Sequence, residues 1–242
     1  MRQVFGYAEQ PNFPPQYNIA PTQPVPVVVL ENGARHFRLM RWGVIPAWVK
    51  DPRQFALVIN ARAETVLDKP AFKNAMKRRR CLLPADGYYE WYQSEGRKRP
   101  FFIRPRDAAL TAFAGLAETW VGPNGEELDT VAIVTAAARN GLATLHPRVP
   151  VTIAQEHHAR WLDGHAADAS EVMPLLRAPA DGDYIWHEVS TRVNRVANDD
   201  AQLILPISAE EAAAEASKPE KRSTARKPAV AASADDGQGS LF

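Results

Sequence analysis

The chain has 242 residues and a single cysteine, Cys81, so it has no internal disulfide and no cysteine cluster for zinc. Its six histidines lack the spacing of metal ligands: His157 and His158 are adjacent and would face apart on a helix. Neither a metal nor another cofactor is expected. No apolar run approaches the roughly 18 residues of a membrane span, and no charged-then-apolar leader opens the chain, which predicts a cytoplasmic protein with no membrane partner. A large charge excess of either sign is also missing. At a net +1, any nucleic-acid binding must come from a local patch rather than from bulk charge. Internal repeats and βαβ alternation are absent too, which argues against solenoids and doubly wound sheets.

What is present is proline and short apolar runs. Twenty prolines, many at segment edges, favour an irregular β architecture over a helical bundle. Pro11, Pro14, Pro15, Pro21 and Pro24 forbid a long helix near the start. Pro24 to Leu30 and His36 to Trp42 read as a hairpin across Asn32-Gly33. Strands are expected at Phe55 to Asn60, Pro100 to Arg104, Leu110 to Val121, Leu128 to Ala136, Val149 to Ile153, Tyr184 to Ser190 and Gln202 to Pro206. Helices are expected at Pro70 to Arg79, Gln155 to Leu162 and near Ser170 to Leu176. The fold class is therefore α+β: a curled, mostly antiparallel sheet or open β-barrel with a few short helices. From about Ser208 alanine, lysine, glutamate and serine dominate, a composition that buries too little to order itself. The expected organisation is a domain at 1–207, a disordered linker at 208–237 and a distinct end at 238–242.

One stretch concentrates chemistry: Leu82-Leu83-Pro84-Ala85-Asp86-Gly87-Tyr88-Tyr89-Glu90-Trp91. An apolar run turns at Asp86-Gly87, and in the strand that follows Tyr88 and Glu90 share one face while Tyr89 and Trp91 share the other. A glutamate among aromatics loses hydration, which favours its neutral form and suits it to proton transfer. The plain alternative is an exposed glutamate on an edge strand. Trp42 and Trp48 flank a Gly/Pro bend and serve either as core plugs or as a stacking platform for bases. Lys77-Arg78-Arg79-Arg80 is either a solvated helix end or a phosphate contact.

Seven segments in order resemble one family, the SRAP (SOS-response-associated peptidase) domain, over roughly residues 4–207. They are Tyr17-Asn18-Ile19-Ala20-Pro21, Trp42-Gly43 with Pro46 and Trp48, Ile59-Asn60-Ala61-Arg62-Ala63-Glu64-Thr65, Pro84 to Trp91, Ile133 to Ala138, Leu145-His146-Pro147-Arg148-Val149-Pro150, and Val193-Asn194. The resemblance implies an abasic-site sensor for single-stranded DNA in the DNA damage response. It acts through a thiazolidine crosslink between an N-terminal cysteine and the ring-opened sugar. The family is assigned peptidase, hydrolase and lyase or crosslinking activities. By resemblance Asn60 positions the nucleophilic end, Glu90 shuttles protons during Schiff-base formation, and His146 promotes sugar opening. Arg62 and Arg148 would contact phosphates, Asn18 and Pro21 would shape the path of the strand, and Trp48 would stack on a base. Taken singly, Asn60 also reads as a turn residue, His146 as a satisfied helix-end histidine and Arg148 as a surface charge.

The resemblance breaks at the start. The family opens Met-Cys-Gly-Arg-Phe, whereas this chain opens Met1-Arg2-Gln3-Val4-Phe5-Gly6-Tyr7. Cys81 lies in an apolar run and has no free α-amine with which to close a thiazolidine. A start codon placed downstream of the natural one is the leading explanation. A crosslinking-deficient homologue that still binds single strands, or a Schiff base on the Met1 amine, are the others. A self-processing thiol peptidase is a further alternative, although no Ser-His-Asp arrangement supports broader proteolysis. At the other end, Gln238-Gly239-Ser240-Leu241-Phe242 resembles the bacterial sliding-clamp pentapeptide: Leu241 and Phe242 would fill an apolar pocket and Gln238 would make polar contacts. The expectation is a replication-fork-associated monomer whose partners are abasic single strands and the sliding clamp.

Overall fold

The computed structural model describes residues 1–94, 96–180 and 182–216. A short helix, α1 (Arg2–Phe5), precedes β1 (Pro24–Glu31), β2 (Ala34–Trp42), β3 (Asn60–Arg62) and α2 (Pro70–Arg78). Then come β4 (Arg80–Ala85), β5 (Tyr88–Ser94), β6 (Arg97–Pro105), β7 (Thr111–Val121), β8 (Glu127–Ala137) and α3 (Asn140–Ala143). β9 (Arg148–Pro150), α4 (His158–Leu162), α5 (Ala169–Val172), β10 (Tyr184–Glu188) and α6 (Ala209–Ala216) complete the order.

Strands β2-β1-β4-β7-β8 pair in sequence, and a short parallel pairing of Arg41 with Thr130 and Trp42 with Val131 returns β8 to β2, closing a five-stranded barrel. β3 and β9 extend it beside β8, in parallel and antiparallel register respectively. A second sheet, β10-β6-β5, is antiparallel throughout. This is the expected α+β class, and the curled sheet closes. The β1–β2 hairpin turns on Asn32 (φ 50°) and Gly33 (φ 78°), as a two-residue turn with left-handed central residues requires.

The barrel interior is packed with side chains that alternate along its strands, among them Val27, Val29, Cys81, Leu83, Phe113 and Val131, while the opposite face, with Val28, Leu82, Leu116 and Val134, is buried under α2, α4 and α5. The basic run after α2 divides. Arg80 is buried and donates to the carbonyls of Met76 and Lys77 on one side and of Trp161, Asp163 and Ala167 on the other, tying α2 to α4. Arg79 pairs with Glu118 on β7.

Three local expectations are corrected. Phe55 to Asn60 is not a strand: an Asp51-capped turn occupies Pro52–Gln54, Val58 makes one isolated bridge to Val44, and pairing begins at Asn60. Gln202 to Pro206 is not a strand either. The Asp200 carboxylate accepts from the Gln202 amide and caps a 3-10 turn over Ala201–Ile204. Finally, the first residues of the expected disordered linker fold as α6. Ser208 and Glu211 form a reciprocal capping box, the Glu211 amide donating to the Ser208 hydroxyl at 3.1 Å and the Ser208 amide to the Glu211 carboxylate at 2.9 Å. Gln238, Leu241 and Phe242 lie outside the described residues. Among the described residues no helix is long and apolar enough to cross a membrane, and no group of three or more His, Cys, Asp or Glu side chains is placed to hold a metal.

Candidate active site

Asp86 and Gly87 join β4 in the barrel to β5 in the second sheet. A side chain at position 87 would collide with the Phe102 ring at 2.5 Å and the Ile103 carbonyl at 2.6 Å, so the close approach of this turn to β6 requires glycine there. β5 then carries the alternation that its sequence implies. Tyr88 packs edge-on against Phe113 of the barrel, while Tyr89 and Trp91 pack with Phe102, Val193 and Leu203 on the other side.

A cavity of about 760 Å³ lies where the two sheets meet. Asn60 and Glu90 line it together with Asn18, Pro21 and Met1. Lys98 of β6 also lines it and is the one lysine or arginine among the described residues to do so. Glu90 is 4% exposed, and its Oε1 accepts from the Trp91 amide at 3.1 Å. Burial raises its pKa to about 7, against smaller opposing effects of the Trp91 amide and the Lys98 charge. A carboxyl at that value exchanges its proton readily near neutral pH.

His146 comes from the segment between α3 and β9, and its Nδ1 lies 3.8 Å from Glu90 Oε2. The same nitrogen is 3.1 Å from the Arg148 amide and 3.0 Å from the Arg148 carbonyl. As an acceptor it is held by the amide, and as an N–H it donates to the carbonyl, so the backbone of Arg148 orients the ring in either tautomer. The structure thus brings Asn60, Glu90 and His146, which come from three distant parts of the sequence, to one end of the barrel.

The remaining predicted residues are placed differently. Arg148 does not present its guanidinium freely: it meets both Glu64 oxygens at 2.9 and 3.2 Å and donates to the hydroxyl and carbonyl of Thr135. Burial pushes the Glu64 carboxyl up, but Arg148 and the backbone amides of Glu64 and Ala137 outweigh it and hold the group below its usual value. Arg62, at the end of β3, is half-buried and pairs with β8 through its backbone, while its guanidinium has no hydrogen bond or ion pair among the described residues. Trp48 is 56% exposed and stands apart from the residues lining the cavity. Asn18 is a fastener. Its amide nitrogen lies within hydrogen-bond distance of the carbonyls of Val193 (3.0 Å), Arg195 (3.2 Å) and Asn198 (3.0 Å), while its backbone N–H donates to Asp199.

Those contacts secure a strap, residues 191–199, whose Val193, Asn194 and Val196 form one wall of the cavity. Further fastenings are the Trp91 indole N–H to the Asn194 side-chain oxygen at 2.7 Å and the Tyr89 hydroxyl to the Tyr17 carbonyl at 2.7 Å. Glu215 of α6 holds the Ser190 hydroxyl and the Thr191 amide. Asp199 and Lys98 are not identifiable from the sequence by spacing, because their partners lie on distant segments, whereas Asn194 enters the sequence reading only through the Val193-Asn194 segment. The one local signal is the Asn198-Asp199-Asp200 cluster of turn-forming side chains. Below the cavity Ala20-Pro21-Thr22-Gln23 forms a tight turn closed by the Gln23 amide on the Ala20 carbonyl at 3.1 Å, with Thr22 at φ 75°. Few β-branched residues adopt that conformation, so the turn stores strain beside the site.

Comparison with known proteins points one way. A family model described as SOS response associated peptidase (SRAP) matches residues 1–196. The abasic site processing protein YoaM of Bacillus subtilis (strain 168) is 35% identical over 193 residues, covering 79% of this chain and 85% of the relative. Abasic site processing protein YedK of Escherichia coli (strain K12) is 33% identical over 194 residues, 79% of this chain and 85% of the relative. Abasic site processing protein HMCES of Gallus gallus is 32% identical over 238 residues, 85% of this chain and 70% of the relative. A crystal structure of a protein from Bacteroides thetaiotaomicron superposes with a TM-score of 0.69 at 25% identity, covering 77% of this chain and 82% of that one. Sequence and fold agree, and the chain belongs to the SRAP family.

Proposed function

We propose that this protein senses abasic sites in single-stranded DNA and that its cavity receives the ring-opened sugar. The observation that carries this reading is Glu90, a 4%-exposed carboxyl titrating near 7 in the wall of the cavity shared with Asn60 and within 3.8 Å of His146. The abasic aldehyde condenses with a primary amine by addition, then loses water to give an imine. The first step needs a proton on the carbonyl oxygen and the second a proton on the departing hydroxyl, which a carboxyl with this pKa supplies and recovers. His146 assists opening of the sugar ring, and the Asn60 amide orients the attacking end. The strap that carries Val193 and Asn194 shapes the cavity for one nucleotide at a time.

In the thiazolidine route a thiol then adds to the imine carbon. Cys81 is not that thiol: it is fully buried in the barrel and its pKa is driven far up by burial. The 242-residue chain, whose one cysteine is Cys81, therefore binds abasic single strands without forming a heat-stable crosslink. A version extended to carry the family's N-terminal Met-Cys-Gly-Arg-Phe forms one, and Glu90→Gln slows it while leaving binding to undamaged strands nearly intact. Incubation with an abasic oligonucleotide followed by a denaturing gel tests this. A heat-stable shifted band from the 242-residue chain, or equal crosslinking rates with and without Glu90, refutes it. Docking on the sliding clamp through Gln238, Leu241 and Phe242 is proposed on sequence alone. Removing residues 238–242 abolishes clamp capture in a pull-down, and capture that survives their removal ends the proposal.

A further inference from the structure

A second recess, of about 230 Å³, opens beside the Glu64–Arg148 pair, and the catalytic reading leaves it without a role. Its floor is small and apolar, built from Ala63, Ala136 and Ala137, with Leu176 behind. Two exposed arginines stand on it, Arg139 immediately before α3 and Arg177 after the turn at Met173–Leu175. Neither guanidinium has a hydrogen bond or ion pair among the described residues. The one carboxylate lining the recess, Glu64, is already engaged by Arg148 through both of its oxygens. Two like charges thus meet at one concavity with no counter-ion among the described residues, an arrangement that raises the local positive potential and suits an anion. The planar fork of arginine matches phosphate oxygens in particular.

The place of the recess in the fold selects the ligand. Ala63 and Glu64 follow Arg62 directly, and β3 starts at Asn60 in the cavity wall. Arg148, which bridges Glu64 and Thr135, also supplies the backbone atoms that orient His146. The recess therefore continues the line of the site beyond the abasic sugar. Resting on the functional reading above, we infer that Arg139 and Arg177 form a phosphate subsite that grips one phosphodiester of the DNA strand running away from the lesion.

The test measures affinity of the full chain for an undamaged single-stranded oligonucleotide across a salt series, comparing wild type with the double substitutions Arg139→Ala/Arg177→Ala and Arg139→Lys/Arg177→Lys. Loss of one phosphate contact lowers the magnitude of the slope of log affinity on log salt by about 0.7. The alanine pair is expected to show that drop with roughly tenfold weaker binding at low salt, and the lysine pair to keep the wild-type slope. Both arginines are exposed, so folding is not at stake, and matching melting curves verify it. An unchanged slope in the alanine pair overturns the inference. So does a result in which inorganic phosphate binds wild type but not the alanine pair while the strand slope is unchanged, which assigns the recess to a free anion instead. If abasic strands bind through the cavity but the slope does not move, only this subsite falls. If no strand binds at all, the functional reading falls with it.

Discussion

Replacing Glu90 with glutamine isolates the cost of burying a carboxylate at the centre of the site. In the unfolded chain the group titrates at 4.5, and in the folded chain at about 7, because burial disfavours its charge. Below both values it is protonated in both states and contributes no pH dependence. Between them the folded chain holds a proton that the unfolded chain releases. Above both, the folded protein must keep a charged group nearly out of water. Stability from this residue is therefore greatest in acid and is lost as the pH rises from 4.5 through about 7. At about 1.36 kcal/mol per pH unit this interval amounts to roughly 3 kcal/mol. Glutamine has nearly the same shape and carries no such penalty. Glu90→Gln should thus be more stable than wild type near pH 8 by up to about 3 kcal/mol, a rise in melting temperature of roughly 6–12 °C. Near pH 5 the two should nearly converge. Thermal unfolding of both proteins at the two pH values decides this, and a melting-temperature difference independent of pH refutes the buried-carboxyl argument. A residue whose removal stabilises the fold while slowing the chemistry is what a functional compromise predicts.

Three other outcomes follow from the geometry. Thr22→Gly releases the left-handed β-branched residue in the turn below the cavity. It should raise stability by about 1 kcal/mol and the melting temperature by roughly 2–4 °C; a lower melting temperature contradicts the strain. Asn18→Ala removes the amide that holds the strap carbonyls and should cost about 2 kcal/mol. Its signature is faster amide hydrogen exchange confined to residues 191–199, and unchanged exchange there refutes the fastening role. Cys81 should resist a thiol-reactive dye in the native protein and label fully on denaturation. Stoichiometric native labelling contradicts its burial.

The parts of this fold that could be read from sequence are those with local causes. Asn32-Gly33 dictates the β1–β2 turn, and Phe72 and Met76, four apart on α2, are both buried as their spacing implies. The alternation of Tyr88, Tyr89, Glu90 and Trp91 fixed their faces, and burial did raise the pKa of Glu90. What escaped was set at long range or by short polar caps. The closing β2–β8 pairing joins segments about ninety residues apart, with no local signature. Arg148 reads as a free cation until Glu64, 84 residues earlier, is placed against it. Asn18 reads as part of the path of the strand until its three carbonyl partners, 175 to 180 residues away, show it to be a fastener. At Gln202 to Pro206 an apolar run imitated a strand, but the Asp200 cap directed it into a turn. At Ser208 the composition suggested disorder, but the capping box started a helix.

In the proposed function Glu90 is the titrating group of a cavity that receives an abasic strand. The most direct test is the affinity of the 242-residue chain for an abasic single-stranded oligonucleotide from acid to mildly alkaline pH, with Glu90→Gln measured in parallel. Wild-type binding should weaken as the pH rises through about 7, where the carboxylate begins to repel the phosphates, and the glutamine variant should lack that inflection. Parallel profiles for the two proteins, or no preference for the abasic strand over its undamaged counterpart, would contradict the account.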